Sequence, residues 1–420
     1  MDASMTLLQS CLVSYRTFLQ RLPPSQYTDF CRWILHPTNP ALTTFLHLSS
    51  LTQMGSLFTY LYGPATADRD HWDHLCAEFS SLLLYQRYEV ISDNLAMGLA
   101  LTDAPHAPVV AAFNRMIIAV LTDTAPIDLR ALQQITATVP WLDQHLAAAQ
   151  YRAMVDAFRP DAQLEAWIPL SANILACRDM LAQIQHPVTN ARIRQGILDR
   201  YAAMHTLCTT PAPHSLDDLI RLQTATMLVI PTLDYCVNLY GQIYHDDPTE
   251  QDAIATHPHL HALINDASFL VRCLNDCGPS LMLADPDSIA QAYHALYQAT
   301  PPAPAESWMA WLLRAADGDT HFYRLHKDVT FREFNLLFAD LTAEQAIPSV
   351  LDQLITNTHT VAQHYQVTLQ RFLQTSTSLA DQPLLTIPVG IITRMVTFHQ
   401  QLYANHYGDL SGDYAVAVAS

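Results

Sequence analysis

Glycine is scarce in this sequence. Only 10 of the 420 residues are glycine, whereas a share of about 7% is usual, and none lies between Gly98 and Gly196. This composition excludes collagen, glycine/serine linkers and long disordered tails. The sequence also lacks G-x-G-x-x-G and G-x-x-x-x-G-K-[ST], the signatures of dinucleotide-binding folds and phosphate-binding loops. Because half of the residues are hydrophobic, the simplest expectation is a large helical protein.

Positive charge and long apolar runs are scarce as well. The sequence has 21 Lys and Arg against 39 Asp and Glu, a net charge of −18. Nucleic acid is therefore not an expected partner, because its binding depends on basic residues that neutralise phosphates. No apolar stretch reaches the ~18 residues of a membrane span, and the first residues lack the basic segment and cleavage site of a secretory signal. A cytoplasmic protein without a membrane span is expected.

The eight cysteines form no CxxC pair and are scattered as helical core residues would be. Their spacing predicts reduced, buried thiols in a cytoplasmic protein. The run His257-x-His-x-His261 does not favour zinc, because this spacing does not put all three side chains on one helical face.

Hydrophobic periodicity of the helical type dominates the sequence. One long helix is predicted from Arg69 to Leu101, and others at about 170–185, 190–208, 215–243, 258–284, 342–376 and 386–406. A strand-like pattern occurs at Thr320–His326, which predicts a short hairpin or an irregular loop. The sequence has no repeat of fixed period and one linker-like segment, 299–305. The predicted architecture is a single all-α bundle over residues 1–420.

The segment from Ser215 to Met227 holds the first candidate site residue. Ser215 is suited to cap a helix, and Arg221 follows among apolar neighbours. A lone arginine in such a setting is either a salt-bridged structural group or a ligand for a carboxylate or a phosphate.

Two Asn-Asp pairs, Asn265-Asp266 and Asn275-Asp276, lie on the helix predicted after His257. Oxygen ligands at helical spacing suit a hard cation such as magnesium. The alternative is that these residues are solvated, or that they cap a helix break at Gly278-Pro279.

Carboxylates also recur on the first long helix. Glu89 and Asp93 are four residues apart and therefore share a face, and Asn94 adds a neighbouring oxygen. Taken alone, this pattern is also typical of a solvated acidic face.

Together, these segments resemble the class I terpene synthase family. The run His214-Ser-Leu-Asp-Asp-Leu-Ile-Arg-Leu-Gln-Thr-Ala resembles the helix whose arginine senses the substrate diphosphate, and Leu270-Val-Arg-Cys-Leu-Asn-Asp resembles the second metal-binding helix. The tail Leu402–Tyr414 is similar to a plant-type ending. The sequence has no D-D-x-x-D motif, for which Glu89-x-x-x-Asp93 or Asp93-Asn94 would stand in. An insertion around 103–160 would account for the long spacing between the two metal motifs.

The resemblance implies a bundle of the class I terpenoid synthase type and a magnesium-dependent enzyme. Its reaction would be the ionisation and cyclisation of a linear prenyl diphosphate (C15 or C20), with release of pyrophosphate. The rival hypotheses are a catalytically silent relative that binds a lipid or a protein partner, a repeat-type helical adaptor, and a helical oxygenase with a carboxylate/His metal site. A homodimer is one possible oligomeric state.

The resemblance also implies a role for each candidate residue. Arg221 would sense the diphosphate, and Arg272 would contact phosphate or pair with an acidic neighbour. Three magnesium ions are expected. Their candidate ligands are Asp93 with Glu89 or Asn94 in the first motif, and Asn275, Asp276 and Ser280 in the second.

Overall fold

The chain folds into helices joined mostly by short connections. The computed structural model describes residues 3–96, 98–100, 104–123, 125–139, 152–159, 162, 164–210 and 213–404, and these residues contain no β-strand. The predicted all-α class is therefore confirmed. In chain order the helices are α1 (Ala3–Phe18), α2 (Gln26–Ile34), α3 (Leu42–Leu48), α4 (Leu51–Tyr62), α5 (Arg69–Asp93), α6 (Ala107–Asp123), α7 (Leu129–Thr136), α8 (Arg152–Phe158), α9 (Trp167–Gln183), α10 (Pro187–Thr209), α11 (Leu216–Thr226), α12 (Val229–Tyr244), α13 (Pro248–Thr256), α14 (Pro258–Met282), α15 (Pro286–Ala299), α16 (Trp308–Ala315), α17 (Tyr323–Phe331), α18 (Ile347–Ala380) and α19 (Thr386–Ala404).

Helix α14 is central to the packing. Leu263, Ala267, Leu270 and Leu274 follow one another at spacings of four and three residues, and all are fully buried, as expected for the apolar stripe of a core helix. Helix α14 packs most extensively against α18 and α19 and also contacts α11, α12 and α17. Helix α5 packs against α1, α9 and α12, while α10 packs against α6, α11 and α12. This arrangement brings the end of α5 close to the middle of α14.

The helix predicted over 215–243 is in fact two helices, α11 and α12. They separate at Leu228, whose backbone is left-handed with a φ of 53°. Pro231 explains the break, because a proline ring inside a helix clashes with the carbonyl four residues earlier, here that of Met227, and donates no hydrogen bond.

Two further predictions need correction. The helix predicted from Arg69 to Leu101 ends at Asp93 and is followed by a short 3-10 turn, Asn94–Ala96. The segment Thr320–His326 forms a turn that leads into α17 and not a hairpin. The turn is stabilised by Asp319, whose carboxylate accepts the backbone N–H of His321 at 2.7 Å.

The segments predicted as an insertion and a linker make contacts of their own. Within 103–160, helix α6 packs against α10, whereas residues 140–151 lie outside the described part of the chain, as does the tail after Ala404. The segment 299–305 joins α15 to α16, and the Trp311 indole N–H donates to the carbonyl of Thr300 at 2.7 Å. It is thus anchored to the helix that follows.

Two expectations from composition can be compared with the fold. All eight cysteines are free thiols, and all of them except Cys208 are buried, as their spacing predicted. In the part of the chain that the structure describes, no helix combines the length and the apolar character needed to cross a membrane.

Helix α14 is broken near its end at Gly278, where φ is 78°. The next residue, Pro279, has no N–H, so the carbonyl of Asn275 loses its helical donor. Arg324 of α17 replaces that donor through its Nε. The Gly-Pro pair therefore fixes a buried arginine beside the helix break.

We expect Gly278→Ala to lower the free energy of unfolding by about 1–2 kcal/mol, because this backbone conformation is strained for any side chain. The new Cβ would lie 3.5 Å from Cγ of Arg324, an ordinary van der Waals contact, so the expected loss comes from the backbone conformation. Gly55→Ala is the control, since Gly55 lies inside α4 and an added Cβ meets nothing within 4 Å; it should raise stability by about 0.5–1 kcal/mol. Urea unfolding measures both, and equal effects would contradict the strain explanation.

Candidate functional site

A cavity of about 320 Å³ opens where the end of α5 meets α10, α14 and α17. We call it the polar cavity. Five of the eight site residues predicted from the sequence line it, namely Glu89, Asp93, Asn94, Arg272 and Asn275. Its wall also contains three charged residues that the sequence did not single out, Arg324, Lys327 and Glu333. Most of the residues assigned to metal and diphosphate binding thus converge at one place.

Arg200 of α10 holds the two carboxylates of α5 together. Its side chain is only 2% exposed and forms an ion pair with Glu89, while its Nη2 donates to Oδ1 of Asp93 at 2.9 Å. The guanidinium lies over the ring of Tyr201, with 4.8 Å between Cζ and the ring centroid. The Asp93 side chain is 57% exposed, so one of the two carboxylates remains accessible from the cavity.

Burial raises the pKa of Glu89 from 4.5 to about 7, although Arg200 opposes the shift. The folded protein therefore binds this proton more tightly than the unfolded chain, and the stability that Glu89 contributes below pH 4.5 is lost as the pH rises towards 7. We expect the free energy of unfolding of the wild type to fall relative to that of Glu89→Gln across this window, with a slope of up to about 1.4 kcal/mol per pH unit. Urea unfolding at pH 5, 6, 7 and 8 measures the difference, and parallel pH profiles would contradict the prediction.

On α14, Arg272 and Asp276 form a buried ion pair four residues apart. The second oxygen of Asp276, Oδ2, accepts the backbone N–H of Leu336 at 2.8 Å. Asp276 is fully enclosed, and protein groups engage both of its oxygens. The carboxylate therefore supports the protein around the cavity and is not presented to a ligand.

Arg272 differs from Asp276 in having an unused donor. Its Nε is buried and has no hydrogen-bond partner among the described residues, and burial lowers the pKa of this guanidinium. A buried donor without a partner costs about 1–3 kcal/mol. Because Arg272 lines the polar cavity, an anion bound there could accept this hydrogen bond and remove that cost.

Neighbouring protein groups hold the other two cationic side chains of the cavity wall in place. Arg324 donates through Nη2 to Oδ1 of Asn275 at 2.6 Å. Lys327 Nζ lies 3.1 Å from Asp328 Oδ1 and also contacts Glu333. Burial alone would lower the pKa of Lys327, but these two carboxylates raise it above its usual value. The lysine therefore stays charged at neutral pH.

Arg221 and Ser280 lie away from the polar cavity. The Arg221 side chain is 67% exposed and pairs with Asp218 of its own helix at 3.1 Å. Gln223 of the same helix lines the cavity, and two residues are about 200° apart around a helix, so Arg221 points elsewhere. Ser280 lines a neighbouring cavity beyond the break in α14. The structure therefore brings neither residue together with Asp93 and Asn275.

Comparison with known proteins gave no match to a family model, to a curated protein or to a solved structure. Within the described residues, no group of three or more His, Cys, Asp and Glu side chains is arranged to hold a metal ion. The polar cavity instead combines three cationic side chains with three carboxylates and several amides. This set can bind an anionic group, alone or together with a single cation.

Proposed function

We propose that the polar cavity binds the diphosphate of a linear prenyl diphosphate (C15 or C20), which the protein ionises and cyclises to a terpene with release of pyrophosphate. One observation carries the proposal. The acidic end of α5 and the middle of α14, about 180 residues apart in the sequence, line the same cavity. They are the two segments to which the family resemblance assigns the metal ligands.

Magnesium is the cofactor that this function requires. In proteins Mg²⁺ takes one or two carboxylates and completes its octahedron with phosphate oxygens and water. Glu89 and Asp93 fit such a site, because both line the cavity and Asp93 is accessible. Asp276 does not fit, since protein groups engage both of its oxygens, and Ser280 faces another cavity. The residues present thus fit one magnesium ion, and not the three that the resemblance implies.

The cations of the protein would hold the leaving group. Arg272 Nε would donate to a phosphate oxygen, and Lys327 would add a fixed positive charge. Negative charge grows on the diphosphate as the carbon–oxygen bond breaks, so donors that are already in place stabilise the transition state more than the bound substrate. A magnesium ion, when bound, would add to this as a Lewis acid. Phe334 and Tyr403 supply aromatic surface to the same cavity, and aromatic faces stabilise cations.

The experiment is a pyrophosphate-release assay on C10, C15 and C20 diphosphates, with magnesium and with a chelator. Magnesium-dependent release that Asp93→Asn abolishes is the expected result. Asp266→Asn is the matched control, because it alters a carboxylate that is paired with Arg371 and does not line the polar cavity. The enzyme hypothesis is contradicted if none of the three substrates yields pyrophosphate.

A catalytically silent relative is the second candidate. It is favoured by the ion pairs of the site, since Arg200 already pairs with one carboxylate oxygen of Glu89 and one of Asp93. Such a protein would bind prenyl diphosphates with the same affinity in the presence and absence of magnesium and would leave them intact. Calorimetry under both conditions, together with the release assay, separates the two candidates.

A further inference from the structure

A second cavity, of about 420 Å³, lies at the break in α14. We call it the apolar cavity, because apolar atoms make up most of its lining, including those of Pro279, Leu283 and Ala404. The polar cavity has the opposite character, with mainly polar atoms in its wall. Arg324 and Tyr403 line both cavities, so the two cavities are neighbours at these two residues.

Arg324 and Tyr403, which form the wall between the two cavities, contact each other. Arg324 is fixed by the carbonyl and by the side-chain oxygen of Asn275, and its Cζ lies 4.6 Å from the centroid of the Tyr403 ring. Gly278 lies beside this pair, since a Cβ at its position would be in ordinary van der Waals contact with Arg324 Cγ at 3.5 Å and with the carbonyl oxygen of Tyr403 at 3.8 Å. Tyr403 lies near the end of α19.

We infer that the two cavities form one bipartite site for an amphiphilic ligand, with its anionic head in the polar cavity and its hydrocarbon tail in the apolar cavity beyond Tyr403. The inference rests on the proposed function, which identifies the head as a diphosphate. It adds the direction of the tail and makes Tyr403 the residue that limits access for longer chains.

The head and the tail are assigned to different cavities because one lining is mainly polar and the other mainly apolar. A hydrocarbon chain gains free energy where it covers apolar surface, and it costs free energy where it takes water from charged groups. Arg272, Lys327 and Glu333 line the polar cavity, so a tail placed there would desolvate them. In the adjoining apolar cavity most of the lining atoms are apolar, and Arg324, which lines both cavities, is already buried, so a tail placed there costs less. Leu283, at its edge, is 59% exposed and would be covered by the tail.

The experiment measures the binding of inorganic pyrophosphate and of C10, C15 and C20 diphosphates by calorimetry. Leu283→Trp fills the apolar cavity, and we expect it to lower the affinity for the C15 and C20 ligands, relative to pyrophosphate, by about tenfold or more. Leu373→Trp is the matched control, because Leu373 has a similar exposure of 54% and lines neither cavity. Tyr403→Ala opens the wall and should raise the ratio of C20 to C10 affinity.

Each outcome decides a different point. If pyrophosphate and the prenyl diphosphates bind but Leu283→Trp weakens no chain length selectively, the bipartite site is refuted and the proposed function stands. If neither pyrophosphate nor any prenyl diphosphate binds to the wild type, the proposed function fails and the inference fails with it. If Leu373→Trp has the same effect as Leu283→Trp, the loss does not come from the apolar cavity, and the inference is again refuted.

Discussion

Arg200→Gln is expected to lower the free energy of unfolding by about 3–5 kcal/mol at pH 8, because removing one partner of a buried ion pair leaves the other charge uncompensated. Glu89 is the group left behind, since it is buried and Arg200 is its ion-pair partner. Asp93 loses the same partner but is exposed enough to be solvated. Urea unfolding of the variant and the wild type measures the cost.

The pH dependence of this cost identifies its source. With a pKa of about 7 for Glu89 in the folded protein, the carboxyl is mostly protonated at pH 5, so the loss of Arg200 should cost clearly less there than at pH 8. Arg21→Gln is the control, because Arg21 makes a similar ion pair with Asp179 at the surface, where its side chain is 50% exposed. An exposed pair contributes about 0–1 kcal/mol. Equal costs for the two variants, or a cost for Arg200→Gln that does not change with pH, would contradict the role assigned to Arg200.

Arg200 is a buried residue of the site that the sequence-based prediction did not include. Ile193, Ile197, Arg200 and Met204 follow one another at helical spacing, and all four are buried. An arginine within such a stripe signals a buried, paired charge, and this signal was present in the sequence. Its partners could not be named, because the contact depends on how α10 lies beside α5, and the periodicity of each helix does not determine which helices are neighbours.

The candidate residues of α14 differ in their surroundings, again because of contacts that the sequence of one helix does not reveal. The spacing of Arg272 and Asp276 predicts that they can meet, and pairing with an acidic neighbour is one of the two roles that the resemblance implies for Arg272. What α14 alone does not reveal is the backbone N–H of Leu336, which takes the second oxygen of Asp276. That contact comes from a distant segment and turns a predicted metal ligand into a structural group. The Gly-Pro break, which the sequence does show, separates Ser280 from Asn275.

The motif match identified the helix that carries Arg221 but not the face of that helix on which the side chain lies. The family resemblance places a diphosphate-sensing arginine on α11, and the helix does reach the polar cavity through Gln223 and Met227. Arg221 lies on the opposite face and pairs with Asp218. A motif match identifies a helix more securely than it identifies a face, because a shift of two residues moves a side chain by about 200°.

Arg272→Gln is expected to weaken pyrophosphate binding by about 30- to 100-fold, because a hydrogen bond to a charged group contributes about 1.5–3 kcal/mol and the charge itself is lost. Arg272→Lys keeps the charge and the pairing with Asp276 but has no counterpart of the unpaired Nε, so it should restore only part of the affinity. Arg221→Gln should change the affinity by less than about twofold, as is usual for an exposed charge outside a site.

Calorimetry with inorganic pyrophosphate measures all three variants, and circular dichroism checks that each one folds, since Arg272→Gln leaves Asp276 without its ion-pair partner. The Arg272→Lys variant guards against a loss of binding that reflects unfolding alone. If Arg221→Gln weakens binding strongly while Arg272→Lys binds as well as the wild type, the diphosphate site lies on the face of α11 that the motif predicted, and the polar cavity is not where the anion binds. The opposite ranking places the anion at Nε of Arg272, a buried donor that no protein group among the described residues satisfies.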